Sequence, residues 1–149
     1  MARRWSCSAP DTISDAEADP PLISTTTGSG ILLKSTGRII VDPNSTLQTK
    51  NGNITLWADS DGNSDGWIGV HGGVTFNSAN GSTTQTTGGG AITLAGGTST
   101  DSNGLPTGYA FAPSTMGLWG TNKPSGVQLG AYTYNHSGGS YANDVKFYS

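Results

Sequence analysis

Charge is scarce in this chain. Only 11% of its residues are charged, the one Glu is Glu17, and the formal net charge is −3 without a basic cluster. Nucleic acid is therefore not an expected partner, because such binding draws on grouped Lys and Arg. Cysteine is nearly absent, and Cys7 alone excludes an internal disulfide and a thiolate zinc site. No run of about 18 apolar residues occurs, so no membrane span is expected. Large aliphatic and Phe side chains are also few, with Leu, Ile, Val and Phe at about 17% of the chain. So low a fraction suggests disorder, but disorder usually accompanies high charge, and charge is missing. The shortage of Glu, Lys and Leu argues against helices.

What is abundant is Gly, Ser, Thr and Asn, together 71 of 149 residues. That composition fits an all-β chain with many turns. A short unit recurs: a Gly, Asn or Asp, sometimes one spacer, then apolar–x–apolar. It reads Gly73-Val74-Thr75-Phe76, Ala91-Ile92-Thr93-Leu94, Gly108-Tyr109-Ala110-Phe111, Gly126-Val127-Gln128-Leu129 and Asp144-Val145-Lys146-Phe147. The first apolar positions, 74, 92, 109, 127 and 145, are 17 or 18 residues apart. Asn53-Ile54-Thr55-Leu56 precedes them by 20, and Arg38-Ile39-Ile40-Val41 comes 15 earlier still. Each unit alternates with the strand period of two and is too short to bury its apolar face alone. Stacking such units buries a continuous narrow core, the logic of a β-solenoid. The spacing predicts about six short coils of 17–20 residues over residues 28–149. Asn51-Gly52, Asp61-Gly62, Asp65-Gly66, Asn80-Gly81 and Asn103-Gly104 supply turns, and Gly88-Gly89-Gly90 suits a corner where coils approach closely.

Residues 1–27 read as a flexible leader or linker, acidic from Asp11 to Asp19 and closed by Pro20-Pro21. The start Met1-Ala2-Arg3-Arg4 lacks the apolar stretch of a signal peptide. The end at Phe147-Tyr148-Ser149, directly after a strand-like unit, suggests a piece of something longer.

Gly52-Asn53-Ile54-Thr55-Leu56-Trp57-Ala58, Gly88-Gly89-Gly90-Ala91-Ile92-Thr93-Leu94-Ala95-Gly96-Gly97 and Gly126-Val127-Gln128-Leu129-Gly130 resemble repeats of large bacterial surface proteins of the filamentous-haemagglutinin type. The resemblance covers about residues 28–149. It implies a single-stranded right-handed parallel β-helix, an extracellular or cell-surface location, and a structural or adhesive shaft without catalysis of its own. Its implied partners are neighbouring coils of a longer chain and host-surface glycans or proteins.

The residues also suggest other chemistries. Asp61-Gly62-Asn63-Ser64-Asp65-Gly66-Trp67-Ile68 fits the first eight positions of a calcium loop, with Asp61, Asn63 and Asp65 as oxygen ligands and Asp59 as a further carboxylate. The twelfth position is Gly72, where a bidentate Glu is normally needed, and Asp/Asn/Gly also builds plain turns. No other cofactor is expected. A polysaccharide-acting β-helix enzyme would have to draw its carboxylates from Asp59, Asp61 and Asp65, with Lys50 or Arg38 as cation. His71 and His136 have no ligand or base partner at useful spacing, and no enzyme is expected. An ice-binding face would need an outward Thr in every coil. Thr55, Thr75 and Thr93 supply it, but Ala110, Gln128 and Lys146 interrupt it. Trp57, Trp67, Trp119, Tyr132, Tyr134 and Tyr141 read as either a sugar-stacking platform or caps on the core.

Overall fold

The computed structural model describes residues 5–6, 21–84, 88–110, 126–129 and 145–149. Among them every regular element is a strand and none is a helix. In chain order the strands are β1 Trp5–Ser6, β2 Leu22–Ser24, β3 Ile31–Lys34, β4 Ile39–Val41, β5 Thr46–Thr49 and β6 Ile54–Ala58. They continue with β7 Ile68–Val70, β8 Thr75–Asn77, β9 Ile92–Thr100, β10 Pro106–Gly108, β11 Val127–Leu129 and β12 Lys146–Tyr148.

These strands form three sheets, ordered β1-β3-β6-β9-β10, β11-β7-β4 and β12-β8-β5-β2. From β3 onward the chain visits them cyclically: β3, β4, β5, then β6, β7, β8, then β9, β11, β12. All pairings are parallel except β9 with β10. Cyclic return to three parallel sheets is compatible with a β-solenoid.

Parallel register stacks like on like. In the first sheet Ile31, Ile54 and Ile92 are aligned, and so are Leu33, Leu56 and Leu94. The second aligns Ile39, Ile68 and Val127, and Val41, Val70 and Leu129. The third aligns Leu22, Leu47, Phe76 and Phe147, with the Phe76 and Phe147 rings stacked at 5.2 Å and 9°. These columns converge on one core that holds Ile54, Leu56, Ile68, Val74 and Phe76 away from solvent. Each such side chain contributes about 1.5–3 kcal/mol by leaving water.

The corners also stack. Between the third sheet and the first, the buried Thr49 hydroxyl donates to the Gly52 carbonyl, and one rung on the Ser78 hydroxyl donates to the Gly90 carbonyl. Asn51 and Asn80 stand in equivalent places with φ of 61° and 55°. Asn tolerates this left-handed region better than most residues. The two staples span very different lengths of chain. The second bridges 12 residues, and at the end of β8 the Asn77 Oδ1 accepts from the amides of Ala79 and Gly81.

The expected coil length does not survive. In-register partners are 23 and 38 residues apart in the first sheet, and 25, 29 and 71 in the third. Among the described residues the strands from β3 onward make three circuits of the sheets, where about six coils were expected. The 18-residue units mark successive faces: Val74 leads into β8, Ile92 opens β9, Val127 opens β11 and Val145 leads into β12. The apolar–x–apolar signature is the same on every face, so its spacing counts faces and not circuits. The unit at 108–111 is different again. Pro106–Gly108 turns back antiparallel on β9, and Tyr109 is 90% exposed. Within the segment expected to be a flexible leader, Trp5–Ser6 pairs with β3 and Leu22–Ser24 pairs with β5.

Candidate functional site

The acidic stretch singled out in the sequence forms the corner between β6 and β7. β6 ends at Ala58, and Asp59 turns the chain with φ 49°. Its carboxylate is buried and accepts the Ser64 amide at 3.0 Å. Its own amide donates to the Gly37 carbonyl of the neighbouring rung at 3.2 Å. At Asp61, one carboxylate oxygen accepts the Asn63 amide at 3.3 Å and the other accepts the Asn63 side-chain NH2 at 2.9 Å. Asn63 Oδ1 in turn accepts the Asp65 amide at 2.8 Å. These are Asx-type links, in which a side-chain oxygen caps a backbone N–H two residues on. Gly66 then passes so close to Asp59 and Gly37 that a side chain there would meet backbone.

Asp59, Asp61, Asn63 and Asp65 are thus gathered in one loop, as the calcium pattern required. Their oxygens, however, are largely turned onto the loop's own donors. The chain then leaves at Ile68 into β7, which carries Gly72 beyond the far end of that strand. Among the described residues no group of three or more His, Cys, Asp or Glu stands where it could hold a metal ion. Of the cations considered beside these acids, Arg38 precedes β4 on the same corner. Lys50 lies after β5, bridged to Ala79 at another corner. His71 is buried at the end of β7, its amide donating to Val41. Cys7, His136, Trp119, Tyr132, Tyr134 and Tyr141 lie outside the described residues.

The outer face of the first sheet is covered, not open. Lys34 Nζ sits 3.7 Å from the centre of the Trp57 ring, a cation–π contact, and Trp57 Nε1 donates to the Gly97 carbonyl at 2.7 Å. Trp57 is buried there, and Trp67 is buried against Ile40 outside the second sheet. Both indoles pack on the outside of the strands, so neither offers a free stacking face and neither caps the main core. Thr55 is buried as well, and Thr75 and Thr93 are half-buried. Lys34 was not singled out in the sequence. Its signal would have been its register opposite Trp57, which only strand pairing reveals.

Asp101 lies at the tip of the β9–β10 hairpin, exposed, with one carboxylate oxygen accepting the amides of Leu105 and Asn103, each at 2.9 Å. The Leu105 amide, followed by Asn103, holds this carboxyl below its ordinary value. The bonds favour the charged form, so their contribution to hairpin order is complete above the ordinary carboxylate pKa. It is lost as pH falls through the lowered value. Amide exchange at Leu105 is expected to accelerate on acidification through that range. In Asp101→Asn the rate should be insensitive to pH beyond the intrinsic chemistry of exchange.

No family model, curated protein or solved structure matches the chain.

Proposed function

We propose that the chain is a structural shaft segment of a large secreted or cell-surface bacterial protein, built as a right-handed parallel β-helix and without catalysis of its own. The observation that carries this reading is the stacking of like residues in three parallel sheets, Ile on Ile, Leu on Leu and Phe on Phe. In such a stack each circuit templates the next and rigidity comes from repetition. Handedness follows from a general rule: a strand–crossover–parallel strand connection is right-handed in about 98% of cases, and each circuit is such a connection. The resemblance of Gly52–Ala58 and Gly88–Gly97 to haemagglutinin-type repeats adds the surface location, with neighbouring coils and host glycans or proteins as partners.

The acidic corner favours this reading over a calcium site or a hydrolase, since its oxygens serve the turn. The test is surface exposure of the protein in the organism that encodes it. An antibody raised against the chain should label intact cells or the culture medium, and external protease should remove the cell-bound signal. Labelling only after permeabilisation would overturn the proposal. Turnover of a polysaccharide that is lost in Asp61→Asn/Asp65→Asn would overturn its non-catalytic part.

A further inference from the structure

We infer that Asn103 is a self-modification site: its side-chain amide is lost by ring closure from the Gly104 nitrogen, and the carboxylate left behind releases the tip of the β9–β10 hairpin.

The chemistry starts from the sequence. The chain has three Asn-Gly pairs, Asn51-Gly52, Asn80-Gly81 and Asn103-Gly104. A glycine after asparagine carries no side chain to hinder its backbone nitrogen, which can therefore swing onto the asparagine Cγ. In the reaction the bond from Gly104 N to Asn103 Cγ forms and the bond from Cγ to Nδ2 breaks. The Gly104 amide proton leaves with the departing nitrogen as ammonia. Water then opens the cyclic imide at one carbonyl or the other, giving an aspartyl or an isoaspartyl residue at position 103. The net change is water in and ammonia out, so no oxidant or reductant is needed.

The fold sets the three pairs apart. Gly52 is buried, and it is wedged against the backbone of Ser29 and Gly30, so its nitrogen has no room to swing. The corner at Asn80 is tied to the neighbouring rung, the Asn80 amide donating to the Thr49 carbonyl at 3.1 Å, and the Gly81 amide donates to the Oδ1 of buried Asn77 at 3.1 Å. Asn103 and Gly104 are both exposed, and beyond the chain neighbours no atom lies within 4 Å of where a Gly104 side chain would begin. Among the described residues the hydrogen bonds of this tip run within residues 101–105. The Gly104 amide donates to the Asp101 carbonyl at 3.0 Å, and the Asp101 carboxylate holds the Asn103 and Leu105 amides. A protruding turn held only by local, solvent-exposed bonds opens far more readily than a corner packed between rungs. Opening frees the Gly104 nitrogen to react, so the Asp101 clamp sets the rate.

The same clamp makes the product matter. The Asn103 side-chain NH2 also donates to the Asp101 carboxylate. Once that NH2 is exchanged for an ionised oxygen, a donor becomes an acceptor and two like charges face each other. The isoaspartyl product further inserts a methylene into the main chain between Asp101 and Leu105, whose mutual bonds then no longer match in length. The tip is thereby released in one direction, since ammonia does not return. The inference rests on local chemistry and not on the surface-protein reading, and cell labelling and amide loss fail independently.

The test is incubation of the full chain in mildly alkaline buffer, with peptide mapping by mass spectrometry that follows the exchange of NH2 for OH at each asparagine. A free peptide of the tip sequence runs alongside. The free peptide should react first, Asn103 of the folded chain next, and Asn51 and Asn80 at least several-fold more slowly than Asn103. Asp101→Ala should speed the loss at Asn103 several-fold toward the peptide rate and leave Asn51 and Asn80 unchanged. Asn103→Gln should abolish reaction at that position, because its longer side chain needs a larger and slower ring. The modified chain, separated by its extra negative charge, should show faster amide exchange at Leu105 and unaltered exchange at Ile54. Loss at Asn51 or Asn80 before Asn103 overturns the inference, as does an intact Asn103 once the free peptide is converted. An Asp101→Ala rate equal to wild type overturns the role of the clamp, and unaltered Leu105 exchange in the modified chain overturns the release.

Discussion

Ile54→Asp is expected to leave the chain without a cooperative unfolding transition at neutral pH. Ile54 is fully buried at the centre of the Ile31–Ile54–Ile92 column, with Leu56 two residues on in the same core. The side chains clustered around it are apolar, and the fully buried hydroxyls of Thr49 and Ser78 already donate to the Gly52 and Gly90 carbonyls. A carboxylate placed there loses its hydration without a partner, at an effective cost of several kcal/mol even after relaxation. The lost burial of Ile adds about 1.5–3 kcal/mol. Together these approach the whole stability of an ordinary domain, about 5–15 kcal/mol. Ile54→Val, which removes one methyl group and adds no charge, should cost only about 0.5–1.5 kcal/mol. Urea melts followed by far-ultraviolet circular dichroism compare the two. An Ile54→Asp variant with the wild-type midpoint would refute the inward assignment of this column.

Gly52→Ala should be strongly destabilising, with a loss near or above the upper end of the ~1–3 kcal/mol usual for overpacking. A Cβ at Gly52 would overlap the Ser29 carbonyl and the Gly30 amide, and one at Gly90 would overlap Gly52 in the same way. All of these neighbours are backbone, which cannot rotate away like a side chain. Relief would require separating rungs that are about 4.8 Å apart. Separation would stretch the bonds from Ile31 N–H to Asn53 at 2.8 Å and from Ile54 N–H to Ala91 at 2.9 Å. Gly37→Ala is the control. Its nearest neighbours would lie at 3.9 Å, ordinary contact, and its effect should stay within about 0.5 kcal/mol. Thermal midpoints of the two variants and wild type decide the matter, and equal losses at Gly37 and Gly52 would refute the close-packed corner.

Much of the strand inventory is legible in the residues. Ile39-Ile40-Val41, Ile54-Thr55-Leu56, Ile68-Gly69-Val70, Ile92-Thr93-Leu94 and Val127-Gln128-Leu129 all announce short strands, and all five are strands. The Asn-Gly turns were equally readable, with Asn51, Asn80 and Gly104 all at positive φ. β3 and β5 escaped the pattern for opposite reasons. Ile31-Leu32-Leu33 is apolar at every position, so it shows no alternation. Thr46-Leu47-Gln48-Thr49 has one large apolar residue, so it shows no repeat. Each is recognisable only beside its neighbour, Leu33 on Leu56 and Leu47 on Phe76.

The candidate site divides similarly. Asp61-x-Asn63-x-Asp65-Gly66 tells where the oxygens fall along the chain. It is silent on whether they converge outward on a cation or turn back on the loop's amides. The backbone path from β6 into β7 decides that, by bringing Ser64, Asn63 and Asp65 amides within reach of the oxygens.

By itself, then, the sequence determined that this chain is built of short strands and tight turns around a narrow apolar core. Composition and two-residue alternation are local properties, and local backbone preference follows from them. Which strand lies on which depends on contacts between distant parts of the chain. Tertiary packing arranged the described strands in three circuits, folded Pro106–Gly108 back on β9 and covered Trp57 with Lys34. The physical reason is that a face signature repeated on all three sheets cannot number the circuits. Register is set by hydrogen bonds and side-chain columns between residues 23 or more positions apart.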